Sequence, residues 1–352
     1  MRLDVTDIDR NFLAGSQAAR EDTAWLDLLD APLTLHGLAV AEPGRFWRLP
    51  EEIIDRVNDG VTHLAKHTAG GRVRFRTDSP YIAFRGRLLN TGSMPHMPLT
   101  GSAGADVFVN GRSCTTFRPA NDREAWFEGI VHLEGAAMRD VEINLPLYNG
   151  LAEGRIGLQA GSRVEAPRAY AVDRPVVFYG SSITQGGCAS KPGSSYPAHL
   201  CRWLDADHVN LGFAGSARGE EIMARYIAGL PMSLLVLDYD HNAPDAAHLR
   251  ATHEPFFRIV RAAQSDLPVI MVSMPGNDLQ PAWRAERREI IRDTYLRARA
   301  EGDDRVWFVD GETLFGTEDR DACTMDGTHP NDLGFYRMAK GLLPVVRAAL
   351  GK

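Results

Sequence analysis

Two short segments in the C-terminal half carry residues suited to nucleophilic catalysis. Gly180-Ser181-Ser182-Ile183-Thr184 follows an apolar run, and Asp326-Gly327-Thr328-His329-Pro330 lies near the C-terminus. A serine at a strand-to-helix turn exposes its hydroxyl beside free backbone N–H groups, as a nucleophile requires. A carboxylate three residues before a histidine can orient the imidazole and stabilise its protonated form. Taken singly, the first segment is better explained as a helix N-cap, and the second equally well as a turn beside a surface histidine.

Two further segments follow apolar runs and can donate hydrogen bonds to an oxyanion. The run at 208–211 ends in Gly212-Phe213-Ala214-Gly215, where a glycine lets a backbone N–H approach a ligand. The next run ends in Asp238-Tyr239-Asp240-His241-Asn242, and an asparagine amide is a common oxyanion donor. In isolation, the glycine is more simply a loop residue.

Together and in this order, the four segments resemble the sequence blocks of the SGNH, or GDSL-type, hydrolase family. The resemblance covers about the C-terminal half of the chain. It implies that Ser182 is the nucleophile and that Asp326 and His329 complete a catalytic triad. It also implies an oxyanion hole formed by the N–H groups of Ser182 and Gly215 and the side chain of Asn242. The expected enzyme is a serine esterase that works through an acyl-Ser182 intermediate, with no metal and no organic cofactor.

The sequence departs from the family pattern in two places. Ser181 stands where the family usually has an aspartate, which is a supporting residue and not a triad member. The third block usually reads Gly-x-Asn-Asp, whereas this chain has Asp240-His241-Asn242-Ala243. Asn277, in the segment 275–278, is a minor alternative to Asn242 for the same role. Three residues beside these blocks are predicted to contact the substrate, although packing explains His241 equally well: Gly180, Gln185 and His241.

The pattern of the C-terminal half predicts the elements that position these residues. Apolar runs alternate with helical stretches at 196–204 and 284–300. The runs are 176–179, 234–237, 269–272 and 306–309. Continuous apolar strands separated by helices indicate a parallel sheet covered on both faces. We therefore predict an α/β fold of the flavodoxin-like SGNH type over 175–352, with ligands at the carboxyl ends of its strands.

The N-terminal half, 1–170, predicts an antiparallel β-sandwich or jelly-roll domain. Polar and apolar residues alternate with period two at 72–76, 105–109, 141–145 and 155–158, as half-buried strands require. The stretch 89–104 is rich in Gly, Ser, Pro and Met and is predicted to be a long loop. Several bacterial SGNH esterases carry such a domain, and the segments 104–109, 145–149 and 179–189 are similar to theirs.

The net charge and the apolar runs of the sequence limit the classes of ligand and partner that we expect. The formal net charge of -7 disfavours nucleic acid as a ligand, and no apolar run is long enough to span a membrane. The N-terminus lacks the layout of a signal peptide, so we predict a cytoplasmic protein. The spacing of His248 and His253 does not fit a metal pair on one helical face. We expect a homo-oligomer, although no sequence motif indicates one.

The resemblance leaves the substrate open. The expected substrate is a small-molecule ester, most simply an acetylated sugar, and the loop 93–97 can contribute to its site. Two alternatives are an acyltransferase that uses the same triad with a hydroxylated acceptor, and a non-catalytic carbohydrate-binding protein. The complete set of Ser182, Asp326 and His329 disfavours the last alternative.

Overall fold

The computed structural model describes residues 8–9, 20–276 and 278–352. Its strands are β1 (Thr23–Asp27), β2 (Thr34–His36), β3 (Val40–Glu42), β4 (Arg45–Trp47), β5 (Arg72–Thr77), β6 (Tyr81–Leu88), β7 (Ala105–Val109), β8 (Arg112–Phe117), β9 (Trp126–His132), β10 (Arg139–Asn144), β11 (Leu151–Gln159), β12 (Val164–Glu165), β13 (Val172–Gly180), β14 (Ala206–Gly212), β15 (Leu234–Asp238), β16 (Val269–Val272) and β17 (Val306–Val309).

Its helices are α1 (Glu51–Ile54), α2 (Asp59–Leu64), α3 (Leu99–Ser102), α4 (Ser182–Gln185), α5 (Tyr196–Leu204), α6 (Glu221–Ala228), α7 (Ala246–Ala263), α8 (Pro281–Ala300) and α9 (Asp332–Leu350). Short 3-10 turns occupy Pro192–Ser194, Asp240–Asn242, Gly311–Thr313 and Asp321–Cys323.

The predicted parallel sheet of the C-terminal half is confirmed. Its strand order is β14-β13-β15-β16-β17, and every neighbouring pair is parallel. Along β13, Val177 and Tyr179 enter the core on one face, whereas Val176 and Phe178 enter the core on the other. Burial on both faces explains why these strands read as continuous apolar runs. Each such side chain contributes about 1.5–3 kcal/mol to folding.

The long covering helices begin where the sequence supplies a capping residue. The Asp245 side chain accepts a hydrogen bond from the His248 N–H at 2.7 Å at the start of α7. The Asn331 side chain does the same for the Gly334 N–H at 3.2 Å at the start of α9. Such caps satisfy donors that a helix leaves free at its first turn, and each contributes about 1 kcal/mol.

The predicted antiparallel domain of the N-terminal half is also confirmed. One sheet has the order β1-β11-β6-β9, and the other has the order β12-β5-β10-β7-β8 with β2 paired to β5. The side chains that the two sheets bury between them include Phe75, Phe84, Val107 and Ile143. On β5 the alternate residues are arginines, which places them on the opposite face of that sheet.

The structure differs from the sequence-based prediction in three segments. Helices α1 and α2 occupy a region predicted mainly as strands, and α3 lies within the predicted loop 89–104. Strand β13 begins at Val172, inside the predicted linker. Leu49, Ile54 and Val61 are buried in the same core as the parallel sheet, so this segment of the N-terminal half packs on the C-terminal half. The predicted division at 170–175 stays a prediction.

Within the described residues, no helix combines the length and apolar character needed to cross a bilayer.

Candidate active site

Ser182, Gly215 and Asn242 follow the carboxyl ends of β13, β14 and β15, whereas Asp326 and His329 lie in the connection between β17 and α9. Of the five parallel strands, β13 comes first in the chain. It has β14 on one side and β15 on the other, so the strand order reverses here. Such a reversal opens a crevice at the edge of the sheet. Gly180 closes β13, and a Cβ built there would lie 2.0 Å from Thr184 Oγ1 and 2.3 Å from the Asp238 carbonyl oxygen. Glycine is therefore required for the tight turn that follows.

The two serines of this turn have separate positions. Ser181 is the N-cap of α4, and its buried side chain accepts a hydrogen bond from the Ile183 N–H at 3.2 Å. Ser182 is the first residue of the helix and is half-buried. Within the described part of the chain, its backbone N–H donates no hydrogen bond. The cap and the predicted nucleophile are thus neighbouring residues, and the Ser182 N–H is available to a ligand.

The structure brings Ser182, His329 and Asp326 together in one hydrogen-bonded series. Ser182 Oγ lies 2.9 Å from His329 Nε2. On the other side of the ring, His329 Nδ1 lies 2.7 Å from Asp326 Oδ2. This arrangement allows the imidazole to take the proton of the serine hydroxyl while the carboxylate fixes the tautomer.

A compact turn holds Asp326 in place. The Asp326 Oδ1 atom accepts hydrogen bonds from the N–H groups of Thr328 at 3.0 Å and His329 at 2.7 Å. Partial burial would raise the pKa of Asp326, but these N–H groups and the His329 ring lower it below its usual value. Asp326 is therefore ionised throughout the neutral range, as an orienting carboxylate must be.

The two other predicted oxyanion donors are bonded to each other. The Gly215 N–H donates to Asn242 Oδ1 at 3.0 Å. The Asn242 Nδ2 group donates to the carbonyl oxygens of Phe213 at 2.9 Å and Ala217 at 3.0 Å. Both polar groups of the Asn242 amide thus hold the loop 213–217 through three hydrogen bonds, and an oxyanion would have to take over or share these bonds. The oxyanion role of Gly215 and Asn242 stays a prediction.

Gln185 and Gly180, predicted to contact the substrate, are buried in the structure, and their substrate role stays a prediction. Gln185 is fully buried, and its Nε2 donates to the Leu147 carbonyl at 3.0 Å while its Oε1 accepts from the Ala214 N–H at 3.1 Å. It therefore connects the N-terminal half to the loop that carries Gly215. Gly180 is equally buried against the turn. Burial of both residues depends on segments distant in sequence, which a local motif does not reveal.

His241 does lie close to the triad. Burial, followed by the nearby His329 ring, lowers the pKa of His241 to about 4, so His241 is neutral at physiological pH. Its ring centroid is 6.1 Å from that of Trp283, and within the described residues its Nε2 atom has no hydrogen-bond partner. His241 therefore has an unpartnered imidazole nitrogen that is buried near the predicted catalytic histidine.

The N-terminal half contributes two residues to this edge. The ring of His96 lies 6.4 Å from that of His329, between centroids, and is exposed. The Tyr148 hydroxyl donates to the Ser182 carbonyl oxygen at 3.2 Å. Sequence reasoning placed His96 in a loop that can reach the site but gave Tyr148 no role. A Cβ built on Gly187 would lie 2.9 Å from the Tyr148 oxygen, so this region is closely packed.

Two buried carboxyl groups beneath the site were missed by sequence reasoning. The Asp238 carboxylate accepts from Tyr196 Oη at 3.0 Å and Thr184 Oγ1 at 3.1 Å, and burial raises its pKa well above the usual value. The Asp240 carboxylate accepts from the Met274 N–H at 2.9 Å, and burial raises its pKa to about 7. Their position at the end of an apolar run, which forms β15, could have identified them from the sequence.

Asn277, the alternative to Asn242, lies outside the described residues. Among the residues that are described, no cluster of three His, Cys, Asp or Glu side chains is arranged to hold a metal ion.

Sequence models of two protein families match the chain. Residues 173–347 match the GDSL-like lipase/acylhydrolase family. Residues 23–164 match the N-terminus of SGNH hydrolase-type esterases. The chain belongs to the GDSL-like lipase/acylhydrolase family. This GDSL-like chain is therefore an enzyme of the SGNH hydrolase type, as the sequence blocks predicted.

Solved structures resemble the GDSL-like chain over nearly its whole length. A protein from Bacteroides ovatus assigned as a GDSL-like lipase is 25% identical, with 94% of this chain and 98% of that chain covered and a TM-score of 0.84. The salicylyl-acyltransferase SsfX3 of a tetracycline biosynthetic pathway is 27% identical, with 95% and 99% covered and a TM-score of 0.77.

More distant structures share the fold alone. An acetyl xylan esterase from the rumen bacterium Butyrivibrio proteoclasticus is 12% identical, with 94% of this chain and 99% of that chain covered and a TM-score of 0.59. No curated protein matches the chain in a sequence comparison.

Proposed function

We propose that this GDSL-like enzyme is a serine esterase that removes short acyl groups, most simply acetyl, from a small carbohydrate. The observation that supports this proposal is the series Ser182–His329–Asp326, with contacts of 2.9 Å and 2.7 Å. The distances suit proton transfer at both steps of a double-displacement reaction.

In the proposed mechanism, His329 accepts the hydroxyl proton as Ser182 Oγ bonds to the ester carbonyl carbon. The carbonyl oxygen becomes negative and is received by the Ser182 N–H, with Gly215 and Asn242 as further donors. His329 then returns the proton to the departing alcohol, which leaves an acyl-Ser182 ester. Water, deprotonated by His329, attacks this ester and regenerates the serine. One oxyanion donor is typically worth about 2.7–4 kcal/mol of barrier.

The openness of the site favours water as the second acceptor. The side chain of His329 is 27% exposed and that of Asp326 is 39% exposed. Acyl transfer to an alcohol requires that water be kept from the intermediate. An exposed triad gives water access to the intermediate, which hydrolysis requires and acyl transfer must avoid.

The rim of the site supports a hydroxylated leaving group. His96 is exposed 6.4 Å from the His329 ring, and His241 and Trp283 lie on the β15 side. Aromatic rings with polar edges offer both a flat apolar surface and hydrogen-bonding nitrogens, which together suit a sugar ring. Carbohydrate esterases such as the acetyl xylan esterase share this fold, which is compatible with the proposal.

Acyltransferase activity is a second candidate because of one observation. The salicylyl-acyltransferase SsfX3 is 27% identical over 95% of the chain, which is as high as the identity to the GDSL-like lipase structure. The same triad can pass an acyl group to an alcohol when a bound acceptor competes with water. The two candidates differ in which nucleophile releases the acyl group.

Hydrolysis of p-nitrophenyl esters of increasing chain length tests the esterase. We expect turnover that is highest for acetate, falls with chain length and is abolished in Ser182→Ala. Ser265→Ala removes an exposed hydroxyl in the turn after α7 and is the matched control, with unchanged activity. Wild-type inactivity on all esters, or equal activity of Ser182→Ala, would contradict the proposal.

Acetylated sugars provide the second step of the test. Acetate release from acetylated mono- and disaccharides, measured with and without an added alcohol, separates the candidates. Release of free acetate in water supports the esterase. Acyl transfer to the alcohol at the expense of free acetate supports the transferase instead.

A further inference from the structure

A cavity of about 520 Å³ lies between the two halves of the chain, away from Ser182. Its walls come from β5 and β10 of the N-terminal half, the segment 167–170, and the start of β14 with α5. Ala206, at the amino end of β14, lines it, whereas Gly212 at the carboxyl end leads into the loop of the active site. A strand of this length spans about 20 Å, so the cavity and the triad lie at opposite edges of the sheet.

Arg74, in the wall of this cavity, has unused hydrogen-bonding capacity. Its side chain is only 12% exposed, and its guanidinium carbon lies 3.7 Å from the centroid of the Tyr170 ring. Glu142 approaches it at 4.0 Å, which is too far for a hydrogen bond. Within the described residues, the guanidinium makes no other polar contact. A largely buried guanidinium with free donors is a site for a carboxylate or phosphate group.

In the same wall, the guanidinium of the neighbouring Arg72 already has hydrogen-bond partners. It donates to Tyr170 Oη at 3.0 Å, to the Gly70 carbonyl at 2.8 Å and to the His208 carbonyl at 3.1 Å, and it pairs with Asp207. Arg72 therefore has a structural role. Arg74, two residues further along the same face of β5, does not need its charge for any comparable network.

His208 is a second residue of the cavity wall with an unpaired polar group. It lines the same cavity and is 3% exposed, and within the described residues its Nδ1 atom has no hydrogen-bond partner. Burial, followed by the nearby Arg72 charge, lowers the pKa of His208 well below its usual value, so the ring is neutral. A buried, unpaired imidazole nitrogen is costly unless a ligand or water bonds to it.

Size and charge define the class of ligand. A volume of about 520 Å³ is within the range of small-molecule sites. Arg168 also lines the cavity, and its side chain is 70% exposed. Its guanidinium lies 3.6 Å from the Asp140 carboxylate, so a second positive charge lies at the solvent side of the cavity. The carboxylates of Asp140 and Glu142 can accept bonds from ligand hydroxyls. The wall therefore offers donors for one anionic group together with acceptors for hydroxyls.

We propose that this cavity binds a hydroxylated small anion of sugar size, a sugar acid or a sugar phosphate, with its anionic group on Arg74 and its hydroxyls on the carboxylates of Asp140 and Glu142. The site is separate from the proposed esterase site and does not depend on esterase activity.

Calorimetric titration of the full chain tests this proposal. The probes are glucuronate and glucose 6-phosphate, with neutral glucose as the reference sugar. We expect at least one of the two anions to bind at millimolar concentration or tighter and glucose to bind more weakly. Glucuronate alone identifies a carboxylate site, whereas glucose 6-phosphate alone identifies a phosphate site. Failure of both anions to bind overturns the proposal.

Variants of Arg74 locate the binding. Arg74→Met is expected to weaken the anion about tenfold or more, because charge-assisted bonds to a buried anion are lost. Arg74→Lys keeps the charge without the planar fork and should retain part of the affinity, which also covers the case in which Arg74→Met fails to fold. Arg163→Met, at an arginine with a 67% exposed side chain in the same half, is the control with unchanged affinity. Equal binding by Arg74→Lys and wild type, together with undiminished binding by Arg74→Met, overturns the proposal.

Blocking Ser182 separates the two sites. Chain whose serine has been labelled with an alkyl phosphonate should bind the anion as tightly as unlabelled chain. If labelling abolishes binding, the anion occupies the edge of the sheet at Ser182 and the cavity is not its site. If Ser182 does not react, anion binding that depends on Arg74 still stands, so failure of the esterase proposal is distinguishable from failure of this one.

Discussion

The N–H of Gly215 donates a hydrogen bond to the side-chain oxygen of Asn242 at 3.0 Å, so two groups predicted to bind an oxyanion are bonded to each other. The Asn242 amide nitrogen also donates to two carbonyls of the same loop. Asn242 is therefore the centre of the loop's hydrogen bonding. An oxyanion would have to compete with bonds of ordinary length, which links the activity of the site to the order of this loop.

Asn242→Ala should lower activity and stability together. Three hydrogen bonds that hold the loop 213–217 disappear, so we expect unfolding to become easier by about 1–3 kcal/mol. We also expect kcat to fall on the order of a hundredfold, because a misplaced donor no longer meets the oxyanion. Thermal unfolding and p-nitrophenyl acetate kinetics measure the two effects.

Asn110→Ala is the matched control for this loss. The Asn110 side chain bonds the backbone of Asp140 within the β-sandwich, so its removal should lower stability alone. A fall in kcat of Asn242→Ala with unchanged stability would contradict the central role of Asn242 in the loop and would favour a direct oxyanion contact.

Gln185→Met should show how far the N-terminal half supports the site. The substitution keeps the volume but leaves the Leu147 carbonyl and the Ala214 N–H unpaired in the interior. We expect a stability loss of about 2–4 kcal/mol and a fall in kcat of at least tenfold, because the loop that carries Gly215 is displaced.

Gln264→Met provides the comparison. Gln264 makes the same kind of side-chain bond, to the carbonyls of Ala228 and Leu230, but at the edge of the sheet remote from Ser182. It should lose stability and keep kcat. If Gln185→Met also keeps kcat, the connection from Leu147 to the loop has no effect on the site.

Sequence motifs could place the triad because each of its two parts is a short local motif. Ser182 follows β13 directly, and the Asp326–His329 pair is set by a turn of its own. The same motifs could not distinguish Gln185 from a ligand contact, since its burial depends on Leu147, nearly forty residues away. Short-range pattern predicts the residue type that chemistry requires, and only tertiary packing decides which side chains remain accessible.

The fold was predictable to a similar extent and for a similar reason. Burial on both faces gives β15 and β16 an unbroken apolar signature, so the parallel sheet could be read directly. Helices α1 and α2 were missed because they are only four and six residues long. Segments of that length carry little helical periodicity. Their stability comes from packing Ile54 and Val61 against the parallel sheet.

Asp326→Asn should leave the fold intact and remove most of the activity. The amide can still bond the turn, but it cannot stabilise a protonated His329 and can select the wrong tautomer. We expect kcat to fall on the order of a thousandfold or more, with thermal unfolding close to that of wild type. Asp321→Asn, at an exposed aspartate in a nearby turn, is the control. Activity of Asp326→Asn within tenfold of wild type would exclude Asp326 as the partner of His329.

His96→Ala should separate sugar binding from chemistry. His96 lies 6.4 Å from the His329 ring, between centroids, but makes no bond in the triad series, so kcat/KM on p-nitrophenyl acetate should be unchanged. On an acetylated sugar we expect KM to rise about threefold to tenfold, as loss of one hydrogen bond predicts. His132→Ala, at an exposed histidine on β9, should behave as wild type on both esters. Equal losses on both esters would place His96 in the chemistry and not in sugar recognition.

Asp240 predicts how stability depends on pH. Burial raises the pKa of Asp240 to about 7, whereas an unfolded aspartate titrates near its ordinary value of 3.8. Between these two values the folded chain holds a proton that the unfolded chain has lost, so this group makes stability fall as pH rises. Above about pH 7 stability stops falling with pH, and the full loss persists. The difference between these two pKa values corresponds to about 4 kcal/mol of stability lost across that window.

Asp240→Asn removes this titration while keeping the shape of the side chain. We expect the stability advantage of the variant over wild type to be about 2–3 kcal/mol larger at pH 8 than at pH 5, as measured by urea unfolding at both values. Asp207→Asn is the opposing comparison, because the nearby His36 and Arg72 lower the pKa of Asp207 despite its burial. Its contribution is present above the unfolded pKa and is lost only in acid, so its variant should be less stable than wild type at both pH values. A wild type and an Asp240→Asn variant that lose stability in parallel between pH 5 and pH 8 would show that Asp240 is ionised at neutral pH, balanced by the neighbouring Arg287, whose guanidinium donates to the Asp240 carbonyl at 2.9 Å.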